Sequence, residues 1–201
     1  NQVTLSPGSG EIKAFFNRGI LSTQYVSSQI PKSKKGTPNF KLLLDRIKQP
    51  GDTLRNKLAD ELKDALMCLL NKAIRDGGTC YCALYELNDP ELIEKILEAK
   101  NNVRLILSNT GPDDKTHEVA RESLHDAGMD ITDRMVSSGH IGHNKFVVYV
   151  NKKGQATTVL TGSTNWTYSG LCSQSNNAIL IESTELASHY LDYWKRMKTD
   201  D

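Results

Sequence analysis

The chain has 201 residues, of which 38% are hydrophobic and 24% charged, and its formal net charge is +1. These values are typical of a globular protein with one or two domains, and they exclude a strongly basic chain whose overall field would attract nucleic acid or an anionic membrane. No apolar run reaches the ~18 residues of a membrane helix and no signal peptide is visible, which favours a cytoplasmic location. The chain starts at Asn1 rather than at a methionine, so it can equally be a processed or cut form.

The N-terminal quarter of the chain combines turn residues with two helix-like patterns. Residues 3–10 (VTLSPGSG) have a short β-like start followed by turn residues, and residues 11–30 carry apolar side chains at roughly helical spacing. Residues 31–40 form a loop rich in Pro, Gly and Lys. Asp52 is a good N-cap for a long amphipathic helix that Gly77 and Gly78 end.

Strand-like and helix-like segments alternate after Gly78. The predicted strands are 79–87, 103–108, 129–136 (a short strand or a loop), 143–150, 156–163 and 176–183, and the predicted helices are 89–100, 117–128 and 186–198. Alternation of this kind, joined to a hairpin, predicts an α/β fold with a mixed β-sheet sandwiched by helices.

The four cysteines form no CxxC pair. Cys80 and Cys82 would leave the same face of one strand, too far apart for a comfortable disulfide. We therefore expect small buried side chains in a reducing compartment, with no disulfide and no bound metal.

Polar side chains cluster at the ends of two neighbouring predicted strands. His143 and Lys145 are two positions apart on one strand, so both leave the same face. The next strand ends in Gly-Ser-Thr-Asn, which includes Ser163 and Asn165. If these strands pair across the turn at 152–155, an imidazole, an ammonium, a hydroxyl and a carboxamide come together.

Such a cluster suits a tetrahedral oxyanion, because Lys145 supplies positive charge while Ser163 and Asn165 supply donors. Gly142 and Gly162 would let a ligand approach the backbone closely. Imidazole can attack phosphorus directly, which gives a covalent phosphohistidine and requires neither a metal nor another cofactor.

The motif His-x-Lys followed by Gly-Ser-x-Asn closely resembles the phospholipase D superfamily signature, HxKxxxxD followed by GSxN. The resemblance is specific over 139–177, and the order of elements over 53–198 is similar to one half of that fold. It implies that His143 is the nucleophile, that Lys145 binds phosphate, and that Ser163 and Asn165 take the roles of the Gly-Ser-x-Asn polar residues in phosphate binding, Asn165 also contributing to catalysis.

The resemblance also implies how the chain is divided, and one residue of the motif departs from the family pattern. We expect one phospholipase D-like half over 1–201, with a core at 53–198, residues 11–52 largely an insertion, and 3–10 as the first strand. Val150 stands where the family has Asp, and its neighbour Asn151 is only similar in polarity.

Three further polar residues complete the predicted site. Asn176, an amide, stands where the family often has a carboxylate that orients the histidine. His140 either edges the pocket and touches the leaving group or phosphate, or makes a structural hydrogen bond. Glu86 follows the first strong strand and could project toward the pocket.

The family reaction needs two histidines, a nucleophile and a general acid, but this chain has one His-x-Lys motif. The resemblance implies that a homodimer or a second phospholipase D-like half supplies the other. We expect a metal-independent phosphodiesterase, slightly favoured as a nuclease, although the near-neutral charge counts against nucleic acid. The alternatives are a phospholipase D or phosphatidyl transferase acting on phospholipids, or a catalytically decayed assembly module.

Overall fold

The structure is a computed structural model that describes residues 10–19, 27–28, 30–32, 36, 39–109, 115–135 and 140–199. The strands are β1 (Ile12–Phe16), β2 (Thr79–Leu84), β3 (Val103–Asn109), β4 (Ile131–Met135), β5 (Lys145–Val150), β6 (Ala156–Gly162) and β7 (Asn177–Glu182). The helices are α1 (Phe40–Lys48), α2 (Thr53–Asp76), α3 (Pro90–Glu98), α4 (Lys115–Asp126), α5 (Tyr168–Cys172) and α6 (Thr184–Thr199).

The described strands form one seven-stranded sheet in the order β1-β7-β6-β5-β2-β3-β4. β2, β3 and β4 run parallel to one another, as expected for strands joined by crossover helices. β5 is antiparallel to β2, and β5, β6, β7 and β1 continue as antiparallel neighbours. The predicted mixed sheet is therefore confirmed.

Helices cover both faces of this sheet. The larger core packs α2, α3 and α4 against one face, and Cys80 and Cys82 of β2 are buried in it without a disulfide. On the other face, Trp194 of α6 is buried and its indole Nε1 donates to the Cys82 carbonyl at 2.8 Å. The sheet is thus the middle layer of a three-layer sandwich.

The long helix α2 begins and ends where the sequence predicts. The Asp52 carboxylate accepts hydrogen bonds from the backbone N–H groups of Leu54 and Arg55, which satisfies donors that have no partner inside the helix. At the other end Gly77 adopts the left-handed conformation, with φ 67°. The predicted signals at these two ends are confirmed.

The N-terminal segment differs from the helix expected over 11–30. Residues Ile12–Phe16 form β1, which pairs antiparallel with β7. The helical interpretation is wrong for these residues, because pairing with β7 satisfies the backbone N–H and C=O groups of this short apolar run. The spacing of its apolar residues did not reveal that pairing. The strand expected over 3–10 lies almost wholly outside the described residues. The 53–198 core and 11–52 insertion stay predictions, and β1 shares the sheet of that core.

None of the helices in the described ranges combines the length and the apolar content that crossing a membrane requires.

Candidate active site

Three chain segments meet at one end of the sheet, which we call the site end. Lys145, the first residue of β5, lies opposite Leu84 at the end of β2, and Phe146 lies opposite Thr161 near the end of β6. The His-x-Lys motif, the turn after β2 and the Gly-Ser-Thr-Asn segment therefore converge here. The pairing of the two motif strands agrees with the arrangement expected from their spacing.

Lys145 is a buried cation without a matching anion. The residue is only 9% exposed, and its Nζ donates to the His143 carbonyl at 3.3 Å and lies 5.0 Å from the centre of the Tyr85 ring. Among the described residues no carboxylate forms an ion pair with it. Burial lowers the pKa of Lys145, and the nearby Glu86 carboxylate opposes that shift. Buried lysines are rare unless paired, so this position suits an anionic ligand.

The His143 imidazole is open to solvent and rests against an aromatic ring. Its centroid lies 4.8 Å from that of Tyr85, with an edge-to-face angle of 65°. Partial burial of the ring lowers the pKa of His143, the Lys145 ammonium lowers it further, and Glu86 opposes both. At neutral pH the ring is therefore held toward its neutral form, which has a free lone pair.

Glu86 connects the two motif strands to the rest of the site. Its Oε2 accepts a hydrogen bond of 2.5 Å from Asn165 Nδ2, and its Oε1 lies 3.9 Å from His117 Nε2. The Asn165 Oδ1 is buried and accepts no hydrogen bond from the described residues. The sequence pointed to Glu86 only weakly, through its place directly after a strong strand.

Ser163 and Asn176 hydrogen-bond each other. The Ser163 hydroxyl donates to Asn176 Oδ1 at 2.9 Å and accepts from the Asn177 N–H at 3.1 Å. Because a serine hydroxyl has one proton, a phosphate oxygen could receive it only by displacing Asn176. Asn176 Nδ2 donates to the Gly170 carbonyl, and no described hydrogen bond joins Asn176 to His143. The orienting role of Asn176 stays a prediction without a direct contact behind it.

Gly162 serves the packing of the sheet rather than ligand approach. A Cβ at this position would lie 2.3 Å from the Asn177 carbonyl oxygen and 2.9 Å from the Ala178 Cα. The absence of a side chain therefore lets β6 and β7 come together beside the site, which differs from the ligand access expected from the sequence.

His140 and His143 line the same groove beside the site end. The groove has a volume of about 580 Å³, and both imidazoles share it with Arg134 and with Ile141, which is 56% exposed. The groove therefore offers cationic and apolar surface side by side. A larger cavity of about 830 Å³ lies at the opposite end of β5, around Tyr149, and contains none of the predicted site residues.

The departure at Val150 lies far from the site end. Val150 is the last residue of β5 and is buried opposite Thr79, at the start of β2. It lies five residue steps along the strand from Lys145, or about 16 Å. Asn151 accepts hydrogen bonds from Lys153 and Gln155 and thereby closes the β5–β6 turn. Replacing the family's Asp by Val therefore removes no group from the phosphate-facing end.

Comparison with known sequences identifies relatives over most of the chain. The family described as cardiolipin synthase, PLD-like domain, matches residues 66–198. Phospholipase D of Rickettsia felis is 27% identical over 159 residues, which cover 75% of this chain and 74% of that protein. Phospholipase D of Rickettsia prowazekii is 30% identical over 122 residues, covering 59% and 55% of the two chains.

Comparison with solved structures supports the fold. The phospholipase D family member Nuc from Salmonella typhimurium superposes with a TM-score of 0.56 at 21% identity, covering 67% of this chain and 85% of Nuc. NucT from Helicobacter pylori gives a TM-score of 0.50 at 15% identity, covering 68% and 89%. At these identities the likeness concerns the architecture alone.

Proposed function

Since the chain belongs to the phospholipase D-like family of phosphodiesterases, we propose that it is a metal-independent phosphodiesterase in which His143 attacks phosphorus. The observation that carries this proposal is the burial of Lys145 beside His143 without an ion pair among the described residues. A phosphate diester supplies the missing negative charge and brings phosphorus to the imidazole.

The reaction proceeds in two displacements. An imidazole nitrogen of His143 forms a bond to phosphorus while the bond from phosphorus to the leaving oxygen breaks, and an acid gives that oxygen a proton. Water then attacks the phosphohistidine, the bond between phosphorus and nitrogen breaks, and the former acid accepts the proton of the water. Lys145 and Asn165 bind the phosphate oxygens, and His140 borders the leaving group.

The acid comes from outside this copy of the site. The chain has one His-x-Lys motif, and the nucleophile cannot also protonate the leaving oxygen on the opposite side of an in-line attack. A second copy of this chain, or a second phospholipase D-like half, supplies that histidine across a twofold or pseudo-twofold axis. The partner is therefore part of the proposed catalytic unit.

Nucleic acid is the favoured substrate class, with phospholipid as the second candidate. Arg134 places a cationic group in the groove that His143 lines, and Lys145 adds a second cation next to His143, as a phosphate backbone requires. The exposed Ile141 beside them, and the relatives called phospholipase D, favour a lipid substrate instead. A decayed module is the third candidate, because Asn176 replaces a carboxylate.

One panel of substrates separates these candidates. Wild-type protein, His143→Ala and the exposed control His189→Ala are assayed with EDTA on bis(4-nitrophenyl) phosphate, plasmid DNA and phosphatidylcholine vesicles. We expect wild type and His189→Ala to cleave the synthetic diester and DNA, and His143→Ala to cleave nothing. Cleavage of vesicles alone indicates the lipid enzyme, and a folded wild type inactive on all three indicates the decayed module.

Two further measurements test the mechanism itself. Mass spectrometry of a rapidly quenched, alkali-stabilised reaction should find the phosphoryl adduct on His143. Mixing wild-type with His143→Ala subunits, with light scattering to follow mass, tests the second histidine. Full specific activity in a strictly monomeric wild-type sample would show that one copy suffices.

A further inference from the structure

Glu86 is held at the site end by its backbone as well as by its side chain. The Trp166 N–H donates to the Glu86 carbonyl at 3.2 Å, and Leu87 and Trp166 form an isolated parallel bridge. The turn after β2 is thus tied to the segment that follows Gly-Ser-Thr-Asn. A carboxylate fixed from both sides can orient another side chain without moving itself.

The two carboxylate oxygens of Glu86 have different neighbours. Oε2 accepts a hydrogen bond from Asn165 Nδ2 at 2.5 Å, and this bond fixes the orientation of the Asn165 amide. The other N–H of that amide stays available to a ligand, and its buried Oδ1 has no hydrogen-bond partner among the described residues. Oε1 lies 3.9 Å from the ring of His117, which is 7% exposed. The His117 Nδ1 lies 3.3 Å from the Leu87 carbonyl, so this ring is held against the same turn.

Glu86 is also the negative charge that acts on both members of the His-x-Lys motif. Its carboxylate raises the pKa of His143 and of Lys145, against the lowering caused by their burial. The ionisable groups that face it are therefore His143 and Lys145 on and before β5, and His117 on α4. The ring of Tyr85, its neighbour in sequence, contacts both the His143 ring and the Lys145 ammonium.

We propose that Glu86 is a positioning residue that orients Asn165 for phosphate and supplies the negative charge which Asn176, an amide, does not bring to His143. This inference rests on the proposed function, because it assigns Glu86 a part in the same reaction. It places the orienting carboxylate on the turn after β2 rather than after the Gly-Ser-x-Asn motif. The carboxylate acts through Asn165 and through charge, and it does not touch the substrate.

Two substitutions separate the charge from the hydrogen bond. Glu86→Gln keeps an oxygen that accepts from Asn165 and removes the charge, whereas Glu86→Ala removes both. Glu94→Gln, at an exposed glutamate of α3, is the matched control. Thermal unfolding of each variant establishes that the comparison is made between folded proteins.

The first measurement is the titration of His143 by NMR, with the resonance assigned through His143→Ala. In Glu86→Gln we expect the midpoint to move to lower pH, because a charge that raised the pKa of His143 is gone. The midpoint in Glu94→Gln should match that of wild type. An unchanged midpoint in Glu86→Gln overturns the proposal, and so does an equal shift in the control.

The second measurement is binding of inorganic phosphate followed by kinetics on bis(4-nitrophenyl) phosphate. Glu86→Ala should bind phosphate about tenfold more weakly, and Glu86→Gln should restore most of that affinity. The acid limb of kcat/KM in Glu86→Gln should move to lower pH with the His143 midpoint. A positioning role is contradicted if activity falls only in proportion to the unfolded fraction, while the His143 titration midpoint and the acid limb of kcat/KM both stay where they are in wild type.

Failure of the proposed function is recognisable separately. A wild-type protein without turnover on any substrate counts against the phosphodiesterase, whereas the titration and phosphate-binding measurements still decide the role of Glu86.

Discussion

Glu86 and Asp89 are three residues apart on the connection between β2 and α3, yet they belong to opposite kinds of charged cluster. Asp89 is fully buried, caps α3 by accepting from the Leu92 N–H, and pairs with Arg55 of α2 at 2.8 Å. Glu86 is 30% exposed on its side chain and faces the site end. One short connection thus joins a structural ion pair to the proposed reaction site.

The structural cluster is closed by its own partners. Arg55 also pairs with Glu91 at 3.0 Å, and Lys63 pairs with Glu91 at 2.9 Å. Burial alone would raise the pKa of Glu91, but Lys63, the Gly51 N–H and Arg55 lower it to about 2. Pairing outweighs desolvation at Glu91, whereas burial raises the pKa of Asp89 in spite of Arg55. What closes this cluster is that each buried charge has an ion-pair partner.

At the site end the described residues offer no such ion pair to His143 or Lys145. Burial lowers the pKa of His143 and of Lys145 more than Glu86 raises them. The positive charge of Lys145 is therefore only partly compensated, by Glu86, until an anionic ligand binds. The difference teaches that incomplete compensation, rather than the number of charged residues, distinguishes a site from a structural ion pair in this fold.

Arg55→Met should produce the largest effect, because it leaves Asp89 buried without its partner. We expect the free energy of unfolding to fall by about 3 to 5 kcal/mol, measured by urea denaturation. Lys57→Met, at an exposed position of the same helix, should change it by less than about 0.5 kcal/mol. Equal effects of the two substitutions would remove the contrast between the clusters.

Lys145→Met should have the opposite signature. Removing a buried, unpaired ammonium should leave the free energy of unfolding unchanged or raise it, by up to about 1 kcal/mol. The same change should lower kcat/KM by about 10² to 10³-fold, since the phosphate loses its buried cation. Lys195→Met, at an exposed position of α6, is the control. Marked destabilisation by Lys145→Met would indicate that this lysine is structural.

Glu91→Gln should remove a pH dependence of stability. The pKa of Glu91 is lowered from 4.5 to about 2 on folding, which corresponds to about 1 to 2 kcal/mol once screening by solvent is allowed for. This stabilisation is fully present above the unfolded value and is lost as pH falls from 4.5 toward 2. Denaturation at pH 7 and pH 3 should show the loss in wild type and in the exposed control Glu98→Gln, but much less in Glu91→Gln. An unaltered pH dependence would contradict the role of the ion pairs.

Ser163→Ala should give the smallest effect. It removes two solvent-exposed hydrogen bonds, to Asn176 and from the Asn177 N–H, and should cost about 1 kcal/mol of stability. Because the Ser163 hydroxyl already donates its hydrogen bond to Asn176, we expect KM to rise only a few-fold. Ser173→Ala, whose hydroxyl donates to the Ser169 carbonyl, is the matched control. A fall of 10² in kcat/KM would instead place the Ser163 hydroxyl on the phosphate.

The sequence was most informative where local chemistry determines structure. The cap at Asp52, the stop at Gly77 and the hairpin from Lys145 to Gly162 depend on neighbouring residues, and the structure has them as predicted. The convergence of the two motifs followed from strand pairing across a short turn, which the alternation of elements already favoured.

The sequence was least informative where distant segments meet. β1 joins the sheet through β7, more than 160 residues away, and its own apolar spacing does not specify that partner. The contact between Glu86 and Asn165 spans 79 positions. The use of the Ser163 proton by Asn176 depends on side-chain geometry, so a motif alone cannot reveal it. In each case the deciding partner is fixed by tertiary packing.

The site residues lie at different distances along the chain, and this determines the order in which they come together during folding. His143, Lys145, Ser163 and Asn165 lie on or beside a single hairpin, and hairpins form within about 1–10 μs. Glu86 joins them only after β2 docks on β5, a long-range pairing that forms more slowly. A nascent chain would thus carry both signature motifs in contact well before it acquires the proton affinity of the mature protein.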